Sequence, residues 1–416
     1  MNQIRIACSV RLYQAVWLCT GTLGFGSRSQ YVKFDAVTKM HNGNAIVRPV
    51  LGSIHRLPWA AKGQFRVGQI LCETFWPCHY RDGAPQSACP RYAARCQIAK
   101  LHELGYRLKS GFEAEFGVFR SEDGTAPLFD GEDIYTGQCL AEAEPLLYAV
   151  EDGLTASGVD VLNVHIEHGP GQIELALAPA LDVAAADAMF RVREAVKEIC
   201  TSRGLYATSM SKPSERASPN GLHFNHSLWS LDAVHDQFYA DGHQLSDVGR
   251  RWLSGLTRHG PALTALCSPT VNCYRRLNKT PMPTRADWGF DNRLSAFRVR
   301  CGAASGSTFV ENRIASGSAN PYLVLAATVA AGVDGLLSGD AVGGDDAATA
   351  EAQALPTSLE VALEALQADT VMVDGLGSEL VEWFVKTKRE TEIARMNNAD
   401  QSDAFDVERE LYFKFL

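Results

Sequence analysis

The stretch Gly111-Phe112-Glu113-Ala114-Glu115-Phe116 constrains this chain more than any other. Phe112, Ala114, Phe116 and Val118 alternate with Glu113, Glu115 and Gly117, a pattern that predicts a strand. Side chains two apart on a strand point the same way, so both carboxylates leave one face while the apolar residues enter a core. Two like charges side by side repel, and a partly buried pair is costly unless a cation neutralises it. Taken alone, the stretch equally suits a half-exposed strand with a solvated acidic face. Other acids and arginines along the chain decide between the two.

The chain has 416 residues, enough for two or three domains. Lys plus Arg number 39 and Asp plus Glu 48, for a formal charge of −9. An acidic chain without a basic run excludes nucleic acid as the main partner. The 11 cysteines are scattered from Cys8 to Cys301 with no CxxC pair. That usage predicts reduced, cytoplasmic thiols rather than a disulfide framework or zinc knuckle. Cys139, Cys200 and Cys267 sit in apolar surroundings and read as small core residues. The apolar run Pro321 to Val333 is too short for a membrane span and reads as a buried helix, so no membrane partner is expected. Arg5 and Arg11 precede a short, interrupted apolar stretch, Ala15 to Thr20, which makes a weak signal-peptide pattern.

Residues 1 to about 30 match no clear pattern. A β-rich module follows, with strands expected at Ala45–Val50 and Phe65–Leu71, and the loop Asp82 to Pro90 marks a boundary. The division is residues 1–86 and 87–416. Helices are expected at Arg91–Leu104, Leu140–Ser157 and from an Asp182 cap to about Arg203. A hairpin turning at Gly169-Pro170-Gly171 occupies Val161–Ala178. Leu222–Leu228 reads as a strand, and Ser246–Leu266 as helix broken near Gly260-Pro261. Asn320-Pro321 opens a helix, and two polar-faced helices, Ser358–Ala368 and Ser378–Met396, close the chain. The class is α+β.

Several segments add to Glu113 and Glu115. The hairpin carries Glu167 on one arm and Glu174 on the other, with His165 and His168 flanking Glu167 as supporting or structural residues. The strand Leu222-His223-Phe224-Asn225-His226-Ser227-Leu228 sends His223, Asn225 and Ser227 to one face and His226 to the other. Arg275-Arg276, Asp291-Asn292-Arg293 with Arg298, and Glu311-Asn312-Arg313 follow. Five glutamates and one histidine suit hard divalent cations such as magnesium or manganese, and the ligand number allows two sites. Arginines nearby match phosphate or carboxylate substrates. Metals with arginines around a phosphoryl group are the machinery of phosphoryl transfer. No GxxxxGK[ST] or GxGxxG loop is present. The residues alone therefore define a divalent-metal site for anionic substrates and leave the reaction open.

In order, GFEAEF, GPGQIE, NGLHFNHSL, NCYRRL, WGFDNR and ENRIASGSANPYLVLAATVAAGVDGL resemble the catalytic-domain motifs of the glutamine synthetase superfamily. The likeness runs from about Leu57 to Asp334 and is strongest to the lengsin branch, through HSLW, Trp252–Leu256 and the Asn320 helix. The resemblance implies a small N-terminal β-grasp-like module, atypical in its first residues, before a large catalytic domain built on a curved antiparallel sheet with helices. It implies that ATP phosphorylates the γ-carboxylate of glutamate and that ammonium or another amine then displaces phosphate. Glu115, Glu167 and Glu174 match the ligands of one metal, and Glu113, His223 and Glu311 those of the other. Arg276 and Arg313 match arginines that hold glutamate, and Arg293 and Arg298 match those that face the transferring phosphate. Ser227 and Asn225 fall on the nucleotide side. Family members assemble into stacked rings, so a dodecamer-like homo-oligomer is expected, with each site shared between the β module of one subunit and the catalytic domain of the next.

Three departures stand beside this. The family strand reads His-x-His, and here the second position is Asn225, a neutral amide. The flap that carries a glutamate in ammonia-using members reads Asn278-Lys279-Thr280-Pro281-Met282-Pro283-Thr284, with no acid. Ser218-Pro219 replaces the Asn-Gly that helps hold glutamate. Two functions follow from the resemblance: an ATP- and metal-dependent glutamate–amine ligase, or a catalytically inactive, lengsin-like assembly protein.

Overall fold

A computed structural model describes residues 16–24, 26–61, 66–130, 136–215, 217–242, 244–277, 281–302, 306–343, 352–400 and 404–416. Its centre is a nine-stranded sheet. The path runs Trp288–Phe290, Phe297–Arg300, Phe309–Asn312, Leu222–Ser230, Tyr106–Phe119, Gln172–Leu177 and Val161–Ile166. Two short strands, Ala180–Leu181 and Tyr206–Thr208, also pair with the long Tyr106–Phe119 strand. Neighbours are antiparallel except the first two, which run parallel.

Alternation decides which residues face the core. Phe112, Ala114 and Phe116 enter it from the long strand, and Leu222 and Phe224 from its neighbour. Phe112 and Phe224 lie opposite each other with ring centroids 4.7 Å apart. The amphipathic helix Ala184–Thr201 covers this face through Met189, Val192 and Val196. The apolar helix Pro321–Ser338 is long and apolar enough, by composition, to cross a membrane; 78% of its apolar window is buried here among other helices. Asn320 caps it, its side chain accepting from the Tyr322 and Leu323 amides.

The small module is a three-stranded sheet in the order Val16–Cys19, Asn44–Pro49, Cys72–Phe75. Two expectations shift here. Val16–Cys19, in a stretch that matched no pattern, is a paired strand. The second expected strand moves from Phe65–Leu71 to Cys72–Phe75, because Gly68-Gln69 makes only a short pair with His55-Arg56. In the larger domain the Asp182 cap is replaced. Its backbone takes φ 57°, and its carboxylate pairs with His102 and Arg107, so the helix begins at Ala184 without a side-chain cap. The closing segment holds two more helices than the polar patterning indicated, Thr370–Leu376 and Ala404–Tyr412. A π turn at Arg389–Ile393 interrupts the Ser378 helix.

Candidate active site

The registers of six strands place the acids and their partners in one row. Glu113 stands opposite His223, Glu115 opposite Glu174, Glu174 opposite His165, and Glu311 opposite both Asn225 and Arg298. All of these leave the face opposite Phe112 and Phe224. Gly171, at φ 66°, turns the hairpin so closely that a Cβ there would lie 2.4 Å from the Val118 carbonyl.

Glu113, His223 and Glu311 offer one ligand atom each within 4.8 Å of one another, and so do His165, Glu167 and Glu174. His223 Nδ1 lies 3.4 Å from Glu113 and 3.3 Å from Glu311. His165 lies 3.8 Å from both Glu167 and Glu174. The second cluster thus takes in a histidine read from sequence as a supporting residue. The signal was its spacing: His165 and Glu167 are two apart on one arm, hence on one face. Glu115 stands between the clusters. Its carboxylate accepts from the Gly221 amide at 2.8 Å and from Gln172 Nε2 at 3.2 Å. Gln172 also bonds Asn220 Oδ1 and the Pro219 carbonyl, a bracing role the sequence patterns did not signal.

The arginines divide by burial. Arg276 is 1% exposed and donates to the Arg313 and Ile314 carbonyls, with its Nε unpartnered. Burial pulls its pKa down, against the attraction of Glu115. Arg313 pairs with Glu311, and Arg298 bridges Glu311 at 3.0 Å to Asp291. Arg293 lies on the exposed turn beside Asp291, the partner of Arg298. Asn225 Nδ2 donates to Glu113 at 2.8 Å, leaving its buried Oδ1 without a partner. Ser227 Oγ accepts from Trp229 Nε1 at 2.9 Å. His226, on the core side, accepts from Trp252 at 2.9 Å; burial pushes it down to about 4 and keeps it neutral. Of the flap, Asn278–Thr280 lie outside the described residues.

Cations crowd one end of the row and not the other. Burial raises the Glu113 carboxyl, but the His223 bond, Asn225 and Arg313 outweigh it and hold it down at about 2. Glu174 is pushed up to about 9, first by burial and then by Glu115, Glu113, Glu167 and Glu311. Carboxylates that repel this strongly beside a histidine form a donor set that fits a hard divalent cation. The unpartnered Asn225 oxygen adds one further acceptor. The residues present therefore fit a metal at both clusters.

A nine-stranded sheet that carries acids and arginines on the face away from Phe112 and Phe224, with helices packed behind it, makes this an α+β domain. Residues 87–411 match the family described as "Glutamine synthetase, catalytic domain", and the chain belongs to the glutamine synthetase family. It is similar to lengsin of Canis lupus familiaris, 32% identical over 362 residues, 84% of this chain and 60% of that protein. It is also similar to gamma-glutamylanilide synthase of Acinetobacter sp, 28% identical over 373 residues, 84% of this chain and 73% of that one. The chain thus spans less than two thirds of the dog relative's length. A crystal structure titled as a novel glutamine synthase homolog superposes with a TM-score of 0.84 at 25% identity, over 97% of this chain and 92% of that one. The structure titled "GmaS/ADP complex" gives 0.77 at 28% identity, over 88% and 85%.

Proposed function

We propose that this chain is an ATP- and divalent-metal-dependent ligase that joins the γ-carboxylate of glutamate to an amine through γ-glutamyl phosphate. The observation that carries the reading is the acid row itself: two three-residue clusters, one of them ringed by buried arginines. Magnesium or manganese held there supplies positive charge to the phosphates and to the carboxylate being activated. Glu113, His223 and Glu311 hold it on the nucleotide side, and Glu167 and Glu174, with Glu115 or His165, hold it on the glutamate side. Arg276 and Arg313 bind glutamate carboxylates, and Arg298 with Arg293 takes up charge on the transferred phosphoryl group. Asn225 and Ser227 line the nucleotide side. The balanced reaction is glutamate, ATP and amine to γ-glutamylamide, ADP and phosphate.

The names of two relatives support this choice: one is a gamma-glutamylanilide synthase, and one structure is a complex with ADP. The two-part division at residue 86, a cytoplasmic location and assembly into a dodecamer-like ring belong to the same proposal. Family membership supports them, as do exposed Leu51 and Ile54 on the small module, which suit burial between subunits. A second reading, a non-catalytic assembly protein, draws on the Asn225–Glu113 bond. It puts a neutral amide where the family places a second histidine, and it engages a carboxylate of the nucleotide-side cluster.

The deciding experiment is phosphate release from ATP with magnesium and L-glutamate, across ammonium, methylamine, ethylamine, aniline and polyamines. Release that requires both glutamate and one amine establishes the ligase and identifies its acceptor. ATP binding without release for every amine moves the chain to the second reading.

A further inference from the structure

The helix Ala184–Thr201 meets the sheet through Met189 and Val192, against Ala114 and Phe116. Those two residues alternate with Glu113 and Glu115, so this helix lies on the side away from the acid row. Another flank of the helix borders a cavity of about 380 Å³, closed by the start of the Pro321 helix, the Ser378–Lys388 helix and the last residues of the chain.

Two of the four cations on the cavity wall form no ion pair among the described residues. Lys388 pairs with Glu392, and Lys414 with Glu122. Arg193 donates to the Gly317 carbonyl, but its buried Nε has no partner. Lys197, one helical turn on, forms no hydrogen bond or ion pair among the described residues. Glu194 and the terminal residue Leu416 also line the wall, but neither forms an ion pair with Arg193 or Lys197 among the described residues. Burial pulls Arg193 down to about 10 and Lys197 down to about 8, against the opposing field of Glu194. Phe190 and Leu266 supply apolar wall beside them. Donors left unpaired in a half-apolar cavity are costly, and an anion with an apolar body satisfies both the donors and the wall.

We propose that this cavity binds a small organic anion, its carboxylate or phosphate held by Lys197 and Arg193 and its apolar part against Phe190 and Leu266. The site is separate from the acid row and does not depend on the ligase reading.

Calorimetric titration of the whole chain with benzoate, phenyl phosphate and inorganic phosphate tests it. One equivalent of benzoate or phenyl phosphate is expected to bind, weakening about tenfold in Lys197→Met and much less in Lys197→Arg, which keeps the charge. Affinity falls as pH rises through about 8, where Lys197 loses its proton. Circular dichroism checks that the variants fold, and Lys197→Gln stands in if Lys197→Met does not. Absence of binding for all three probes overturns the site, as does binding indifferent to Lys197. Binding abolished by Glu115→Gln would place the probe on the acid row and overturn it equally. Inorganic phosphate binding as tightly as phenyl phosphate would remove the apolar part of the proposal.

Discussion

At Glu113, one carboxylate receives a histidine, an amide and the field of a buried arginine, and this concentration of partners makes it a sensitive test of the site. Glu113→Ala, or Glu311→Ala, is expected to lower glutamate-dependent phosphate release by roughly 100-fold or more, and Glu311→Ala also lowers the thermal midpoint, because buried Arg298 and Arg313 lose the carboxylate they share. Near-normal turnover in either variant would sink the metal assignment. Asn225→His combined with Met282→Glu restores the imidazole and the flap acid and is expected to raise turnover with ammonium over the parent chain. No gain would place the limitation elsewhere. Gly221 adds a steric test: a Cβ there would lie 3.0 Å from His223 Nε2 and 3.3 Å from Glu115 Oε1. Gly221→Ala is therefore expected to disturb both halves of the row. Most of this row was legible in the sequence, because strand alternation fixes which residues share a face. His165, read as a supporting residue, stands beside Glu167 and Glu174, and its spacing from Glu167 carried that signal. Gln172 and the Arg298–Asp291 pair were not legible, since they depend on which loops the fold brings against the sheet.

Most elements with local signals were read to within three residues. Asn320 before Pro321 marks a helix start, and the structure adds the two amide bonds that cap it. Asn320→Ala is expected to cost about 1 kcal/mol, read as a lower urea midpoint with an unchanged slope. Asp182 carried the same type of signal and misled, because the bonds to His102 and Arg107 outcompete a cap. The helix break near Gly260-Pro261 was legible, but the clasp that His259 makes there was not. Its ring lies 2.6 Å from Asp369 and 3.0 Å from Asp334, residues more than seventy positions away. Burial lowers the imidazole pKa, but the two carboxylates raise it further, leaving it above its ordinary 6.5. Asp334 is held below its ordinary value: burial opposes this, but His259 and Arg258 prevail. The sign follows: the His259 contribution is full below pH 6.5 and is lost as pH rises through the higher folded value. The Asp334 contribution is lost in acid. Chemical denaturation of His259→Gln across pH 5 to 8 is expected to show a flatter dependence above neutrality than the parent chain. Identical slopes would remove the clasp.

Across the whole molecule, the small module is tied to the catalytic domain by one buried ionic junction. Glu73, on the strand Cys72–Phe75, meets Arg91 at 2.5 Å on the helix Pro90–Glu103. Arg91 reaches on to Asp187 at 2.9 Å on the helix Ala184–Thr201, and Asp187 accepts from Tyr322 at 2.6 Å on the Pro321 helix. Phe34 stacks on Trp383 with centroids 4.2 Å apart, a second tie to the C-terminal helices. Sequence reading separated the module from the domain by composition and turns, but the partners in this junction lie far apart in the chain and have no local pattern. Burial decides the energetics. The Glu73 side chain is 5% exposed and that of Arg91 10%, so removing the acid leaves a charge short of a partner where water does not reach. Arg95 also bonds Glu73, but its side chain is 52% exposed and largely solvated. Glu73→Ala is therefore expected to cost about 3 kcal/mol. Arg95→Ala, at the other end of the same carboxylate, is expected to cost under about 1 kcal/mol. The comparison is made by urea denaturation, and in the same variants by light scattering, since a loosened module would alter any subunit contact that Leu51 and Ile54 make. Equal losses from the two substitutions would show that the junction is an exposed contact and that the module is held by the Phe34–Trp383 stack instead.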